Sequence, residues 1–235
     1  MPESVALKEF GPDIWTIDGP KVVAALGFHY PTRMAVIKLS DDRLFIWSAI
    51  ALTDGVRAEI GAIGEVAFLI APNSLHHLFI SDWKHAYPSA RLYAAPGLRD
   101  KRKDLVMEDD LDGIHTLPWS EEIDHVLVEG NAITSEVVFF HRKSGTAIFT
   151  DLIQQMPVGW FSGWRAIVAK LDLMVGPEPS VPRKFRVAFT DRARARAALK
   201  IILAWPTDKV LMAHGTPVER NGQAFLRRAF RWLVN

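Results

Sequence analysis

Four residues capable of metal or acid–base chemistry stand where apolar runs end. His76 and His77 follow Val66–Ile70 across the breaker Ala71-Pro72-Asn73-Ser74. Asp151 comes directly after Thr146–Thr150, and His214 follows Lys209–Met212 and precedes the turn Gly215-Thr216-Pro217. Imidazole nitrogen and carboxylate oxygen both ligate zinc, at about 2.0–2.2 Å. Brought together, three imidazoles and a carboxylate would form a shell for one divalent ion. Each residue also has a plainer use. A His-His pair can cap a helix or sit at the surface, Asp commonly ends a strand, and His214 could donate to a backbone carbonyl.

The surrounding pattern decides whether these residues can meet. Ile14–Ile17, Met34–Leu39 and Leu44–Trp47 are β-favouring runs, with Ser40-Asp41-Asp42-Arg43 as a hairpin turn. Thr53 or Asp54 can cap a helix to Ile63, Val66–Ile70 reads as a buried strand, and a helix is expected over Leu75–Ala86. Arg91–Ala95, Val126–Val128, Glu136–Phe140, Thr146–Thr150 and Lys209–Met212 read as further strands, and Glu136 is expected to point outward. Helices are expected over Trp164–Met174, from Asp191 to Trp205, and over Gly222–Val234. Strand–helix–strand succession gives an α/β fold with partly parallel sheets, and ligands of such folds bind beyond the carboxyl ends of strands. A helix starting at Leu75 would also keep His76 and His77 neutral and able to ligate.

Composition narrows the class. The chain has 235 residues, 49% hydrophobic, with no cysteine and a net charge of +1. Disorder, a disulfide scaffold, thiolate metal sites and a cysteine nucleophile are excluded. No apolar run approaches the roughly 20 residues of a membrane span, and Met1–Val5 shows no signal-peptide pattern. The expectation is therefore one cytoplasmic domain over residues 1–235, with no membrane partner. The charge is uneven: Val181–Asn235 carries 12 Lys and Arg against 3 Asp and Glu. Arg192, Arg194 and Arg196 scatter around a helix instead of forming one face, so nucleic acid is not the expected partner. Leu152–Trp164, with Met156, Trp160, Phe161 and Trp164, is either core and homodimer contact or an apolar wall over the site. Trp160 is the wall candidate, and His29 could line the mouth.

At these residues the chain resembles the metallo-β-lactamase-like hydrolases. Ala71–Leu78 sits where that superfamily carries H-x-H-x-D-H, Ile148–Asp151 looks like its bridging-aspartate strand, and Met212–Gly215 looks like its last histidine. The resemblance implies a four-layer αββα sandwich and a metal-dependent hydrolase acting on a small-molecule substrate. One of the superfamily's two metal positions would fall on Pro72, Ser74 and the His-free stretch Gly130-Asn131-Ala132, so it is dismantled. The other maps to His76, His77, Asp151 and His214 and implies one divalent ion. Zinc is the first choice, with iron, manganese or nickel as alternatives, and Asp151 is the residue that would orient water. A non-catalytic metal- or ligand-binding protein on the same fold is the rival reading.

Overall fold

The computed structural model describes residues 6–113 and 115–234. Residues 1–5, read above for a signal peptide, lie outside them.

Among the described residues, eleven strands form two sheets. The first contains β1 (Lys8–Gly11), β2 (Ile14–Val23), β3 (His29–Lys38), β4 (Arg43–Trp47), β5 (Glu65–Ala71), β6 (Arg91–Ala94) and β7 (Asp109–Asp110), in that spatial order. Pairing is antiparallel from β1 to β4 and parallel from β4 to β7. The second contains β8 (Ile123–Val128), β9 (Glu136–His141), β10 (Thr146–Gln154) and β11 (Lys209–His214), in the order β11-β10-β9-β8, with only β10 and β11 parallel. The helices are α1 (Asp54–Gly61), α2 (Ile80–Ala86), α3 (Leu98–Lys101), α4 (Gly163–Leu171), α5 (Arg183–Ala188), α6 (Arg192–Ile202) and α7 (Gly222–Val234).

Alternation along the strands builds the layers, because successive side chains point to opposite faces. In β3, Ala35 and Ile37 pack between the sheets, while Met34 and Val36 face α1 and α2. In β9, Val137 and Phe139 join the same inter-sheet core, while Val138 and Phe140 face α5, α6 and α7. Helix–sheet–sheet–helix is therefore the architecture, as the resemblance implied. Thr53 and Asp191 cap α1 and α6 as expected, accepting from the amides of Val56 and Arg194.

Three expectations change. The β2–β3 hairpin runs well beyond Ile17, with a 3-10 turn at Ala25–Gly27 as its tip. The helix expected at Leu75 begins only at Ile80, so His76 and His77 lie in a loop and a helix dipole does not act on them. β10 continues through Asp151 to Gln154, placing Asp151 within a strand. Ser48 after β4, Asn73–His76 after β5, Asp151 and His214 all come to one end of the sandwich, at the carboxyl ends of the parallel strands.

Candidate metal centre

Asn73 shapes the loop after β5. Its Oδ1 accepts from the amides of Leu75 and His76 at 2.9 and 3.0 Å, and its Nδ2 donates to Asp151 Oδ2 at 2.8 Å. One buried amide thus turns His76 inward and holds the carboxylate that His76 faces. The other Asp151 oxygen, Oδ1, accepts from Gln154 Nε2 at 3.0 Å.

His76, Asp151 and His214 converge. The two Nε2 atoms lie 3.1 Å apart, at 3.3 Å (His76) and 3.4 Å (His214) from the nearer Asp151 oxygen. Their far nitrogens are anchored. His214 Nδ1 lies 2.6 Å from the Pro31 carbonyl, to which it can only donate, so its Nε2 carries a bare lone pair when the ring is neutral. His76 Nδ1 lies 2.8 Å from Ser48 Oγ, which can accept and so bare the second Nε2. Ser48 is held at φ 54°, the left-handed region that serine seldom adopts, and this aims its hydroxyl at the ring. Gly215 answers a close approach: at φ 152°, a Cβ there would lie 2.8 Å from the Gln155 amide nitrogen, so a side chain would push the end of β11 away.

Burial lowers the His76 imidazole, outweighing the adjacent carboxylate, so it is neutral at pH 7. Burial would raise the Asp151 carboxyl, but the attraction and hydrogen bonds that the His76 and His214 imidazoles offer it in their protonated form outweigh this and hold it well below the usual carboxylate range. Two imidazole Nε2 atoms and one ionised carboxylate form a donor set for a divalent cation. Tetrahedral bonds of about 2.0–2.2 Å put ligand atoms roughly 3.3–3.6 Å apart, close to the separations here. Gln154 Oε1, beside this centre, is buried with no hydrogen-bond partner.

His77 falls outside the cluster. Its Nδ1 lies 3.1 Å from the Arg102 guanidinium, which also donates to the His77 carbonyl, and burial together with Lys101 and Arg102 lowers its pKa. The loop turns the two adjacent imidazoles apart, so the four-residue shell expected above has three members here. His29 and Trp160 are also placed elsewhere. They clasp each other, Trp160 Nε1 donating to the His29 carbonyl at 2.9 Å, and the lining of the cleft over the cluster includes neither. Glu136 points inward instead of outward. It is fully buried and accepts from the amides of Thr150, Asp151 and Leu152 at 2.8, 2.7 and 3.0 Å. Burial and the Asp151 charge push its carboxyl up to about 7, against those donors.

The cluster lies in the wall of a cleft of about 440 Å³. Val22–Ala25 of the hairpin and Leu75, Leu78, Phe79 and Ile133 make it largely apolar, with Lys184 as its cation. The expected apolar wall therefore comes from the hairpin and the His76 loop, while Met156 and Phe161 pack in a small core with Phe28 and Tyr30.

The profile of the family described as Domain of unknown function (DUF4336) matches residues 12–162, more than half of the chain. The chain belongs to this family. The matched span holds His76 and Asp151 and stops before His214. No curated protein sequence matches. Among solved structures, a metallo-β-lactamase from Hirschia baltica superposes with a TM-score of 0.61 at 14% identity, over 95% of this chain and 98% of that one. The metallo-β-lactamase FIM-1 from Pseudomonas aeruginosa, in a mono-zinc form, gives 0.64 at 13% over 98% and 97%. The metal-soaked Flv1 flavodiiron core from Synechocystis sp. PCC6803 gives 0.64 at 13%, over 98% of this chain and 61% of that one. The DUF4336 chain thus has the metallo-β-lactamase fold, with a His/Asp/His cluster able to hold a metal ion.

Proposed function

We infer that the protein is a cytoplasmic metal-dependent hydrolase acting on a small molecule with an apolar part, with one divalent ion at His76, Asp151 and His214. The observation that carries this reading is the convergence of two imidazole Nε2 atoms and an ionised carboxylate beside an open apolar cleft. When bound, the ion would supply Lewis acidity, polarising a carbonyl or phosphoryl oxygen and acidifying water toward a pKa of about 7. Three protein ligands leave a tetrahedral site one open position, the pattern of catalytic zinc. Iron, manganese and nickel accept the same donors.

The chain's own residues perform the positioning. Ser48 and the Pro31 carbonyl fix both rings, Asn73 and Gln154 orient the carboxylate, and Asp151 accepts a hydrogen bond from the attacking water. The apolar walls exclude bulk solvent around the substrate, and the cleft volume lies in the range of small-molecule sites.

The test is hydrolysis of chromogenic carboxylic esters, thioesters and phosphodiesters by chelator-stripped protein, with and without one equivalent of zinc. Metal-dependent turnover of at least one class, abolished in Asp151→Ala, is expected. Stoichiometric metal with no turnover in any class would instead make this a non-catalytic binding protein.

A further inference from the structure

Helix α4 turns its apolar stripe to solvent. Trp164, Ile167, Val168 and Leu171 recur at the i, i+3, i+4, i+7 spacing of a core-facing helix, yet they are 50, 64, 41 and 60% exposed. The hairpin tip extends this surface. Arg165 Nε donates to the Leu26 carbonyl at 2.8 Å, Phe28 packs edge-on to Trp164 at 5.7 Å, and Leu26 and Val23 are themselves exposed. A contiguous apolar surface beyond a few hundred Å² marks an interaction site.

Against the expectation of no membrane partner drawn from the sequence, we propose that this face docks on the surface of an anionic lipid bilayer. The two segments that build the face carry charges of one sign. Residues 19–40 and 152–171, which build the tip and α4, contain Lys21, Arg165 and Lys170 at or beside the patch, with no Asp or Glu. The next acid, Asp172, accepts from the Lys184 amide and lies 3.6 Å from its ammonium, so its charge is engaged. Lys21 sits over the Trp160 ring at 4.4 Å and Arg165 over Trp164 at 4.8 Å, placing cationic heads beside aromatic bodies. Basic residues beside Trp and Leu are the composition of a helix lying in the headgroup region. A second copy fits less well, because a two-fold contact sets this surface against itself and brings each cation toward its own kind. Such docking requires no spanning helix, and among the described residues none is long and apolar enough to cross a membrane. Val22–Ala25 of the same hairpin line the cleft, so the docked protein would present its candidate site beside the lipid surface.

The test is co-sedimentation of the full chain with vesicles of phosphatidylcholine containing about 30% phosphatidylserine, against phosphatidylcholine alone, with solution mass measured in parallel. It needs neither metal nor turnover, so it stands apart from the hydrolase reading. Binding to the anionic vesicles by a monomer, weakening as salt rises, is expected. Lys170→Gln should lower partition about fivefold, and the exposed pair Ile167→Glu with Leu171→Glu should lower it more than tenfold with an unchanged thermal melt. Absence of binding by folded wild-type protein would overturn the proposal, as would equal binding to both vesicle types. A solution dimer made monomeric by Ile167→Glu would overturn it too, by assigning the face to a second copy.

Discussion

Asn73 joins the two halves of the centre, since the amide that bends the His76 loop also holds Asp151. Asn73→Ala would strip the loop amides and the carboxylate of a buried partner. A loss of about 1–3 kcal/mol in stability is expected from the unsatisfied groups, with metal affinity lowered about 10–100-fold. A denaturant melt and a metal titration check both. In the sequence, the breaker Ala71-Pro72-Asn73-Ser74 offers two possible caps, Asn73 and Ser74, for a helix from Leu75, and an Asx turn makes the same bonds to amides two and three residues on as an N-cap does. What separates them is whether the next turn continues, and here the helix waits until Ile80. The same ambiguity bears on His77, whose partner Arg102 is far along the chain. His77→Ala should therefore keep its metal, whereas His76→Ala should lose it, as metal analysis of the two purified variants will show.

At the element scale, β10 reaches Asp151 where its pairing with β9 has ended: the ladder stops at Ile148↔Phe139. Beyond that point the Glu136 side chain takes over, accepting three successive β10 amides. Glu136→Ala would orphan those donors. Destabilisation of about 3 kcal/mol or more is expected, with metal lost as Asp151 shifts, read by a melt and a metal assay on the same sample. An outward glutamate is the ordinary reading of a charge opening a strand, and only the paired strand's irregularity gives it a buried use. His141 closes β9 in another way. Burial lowers its pKa to about 4 from 6.5, so the unfolded chain takes up a proton in that window and the folded one does not. The His141 contribution to stability should fall as pH drops from about 6.5 to 4 and level off below, by up to about 3 kcal/mol. His141→Gln should flatten that slope in urea melts taken across the window.

For the whole molecule, the α/β succession was legible because apolar runs and helix caps are local signals, whereas the two-sheet sandwich was implied by the family resemblance. The strands that carry Asp151 and His214 stand out as apolar runs, and Gly215 marks the close approach that ends β11. The long hairpin was not legible, since Pro20, Gly27 and Pro31 break the apparent run, although strands of one hairpin can tolerate them at an edge. Separate apolar cores between the sheets and under each helix layer hold the fold without help from the centre. Chelation should therefore leave a folded protein of lower melting temperature. With metal at 100 times its dissociation constant the linkage is about 2.7 kcal/mol, or roughly 5–10 °C at this chain length. Loss of the cooperative transition on chelation would mean that the ion holds the fold.

The central claim is a single ion held by His76, Asp151 and His214. Metal content per chain, measured by mass spectrometry on zinc-saturated and desalted protein, tests it most directly, with His214→Ala treated identically. The account predicts one ion per chain in the wild type and almost none in the variant. Two ions per chain, none at all, or full retention in His214→Ala would contradict it.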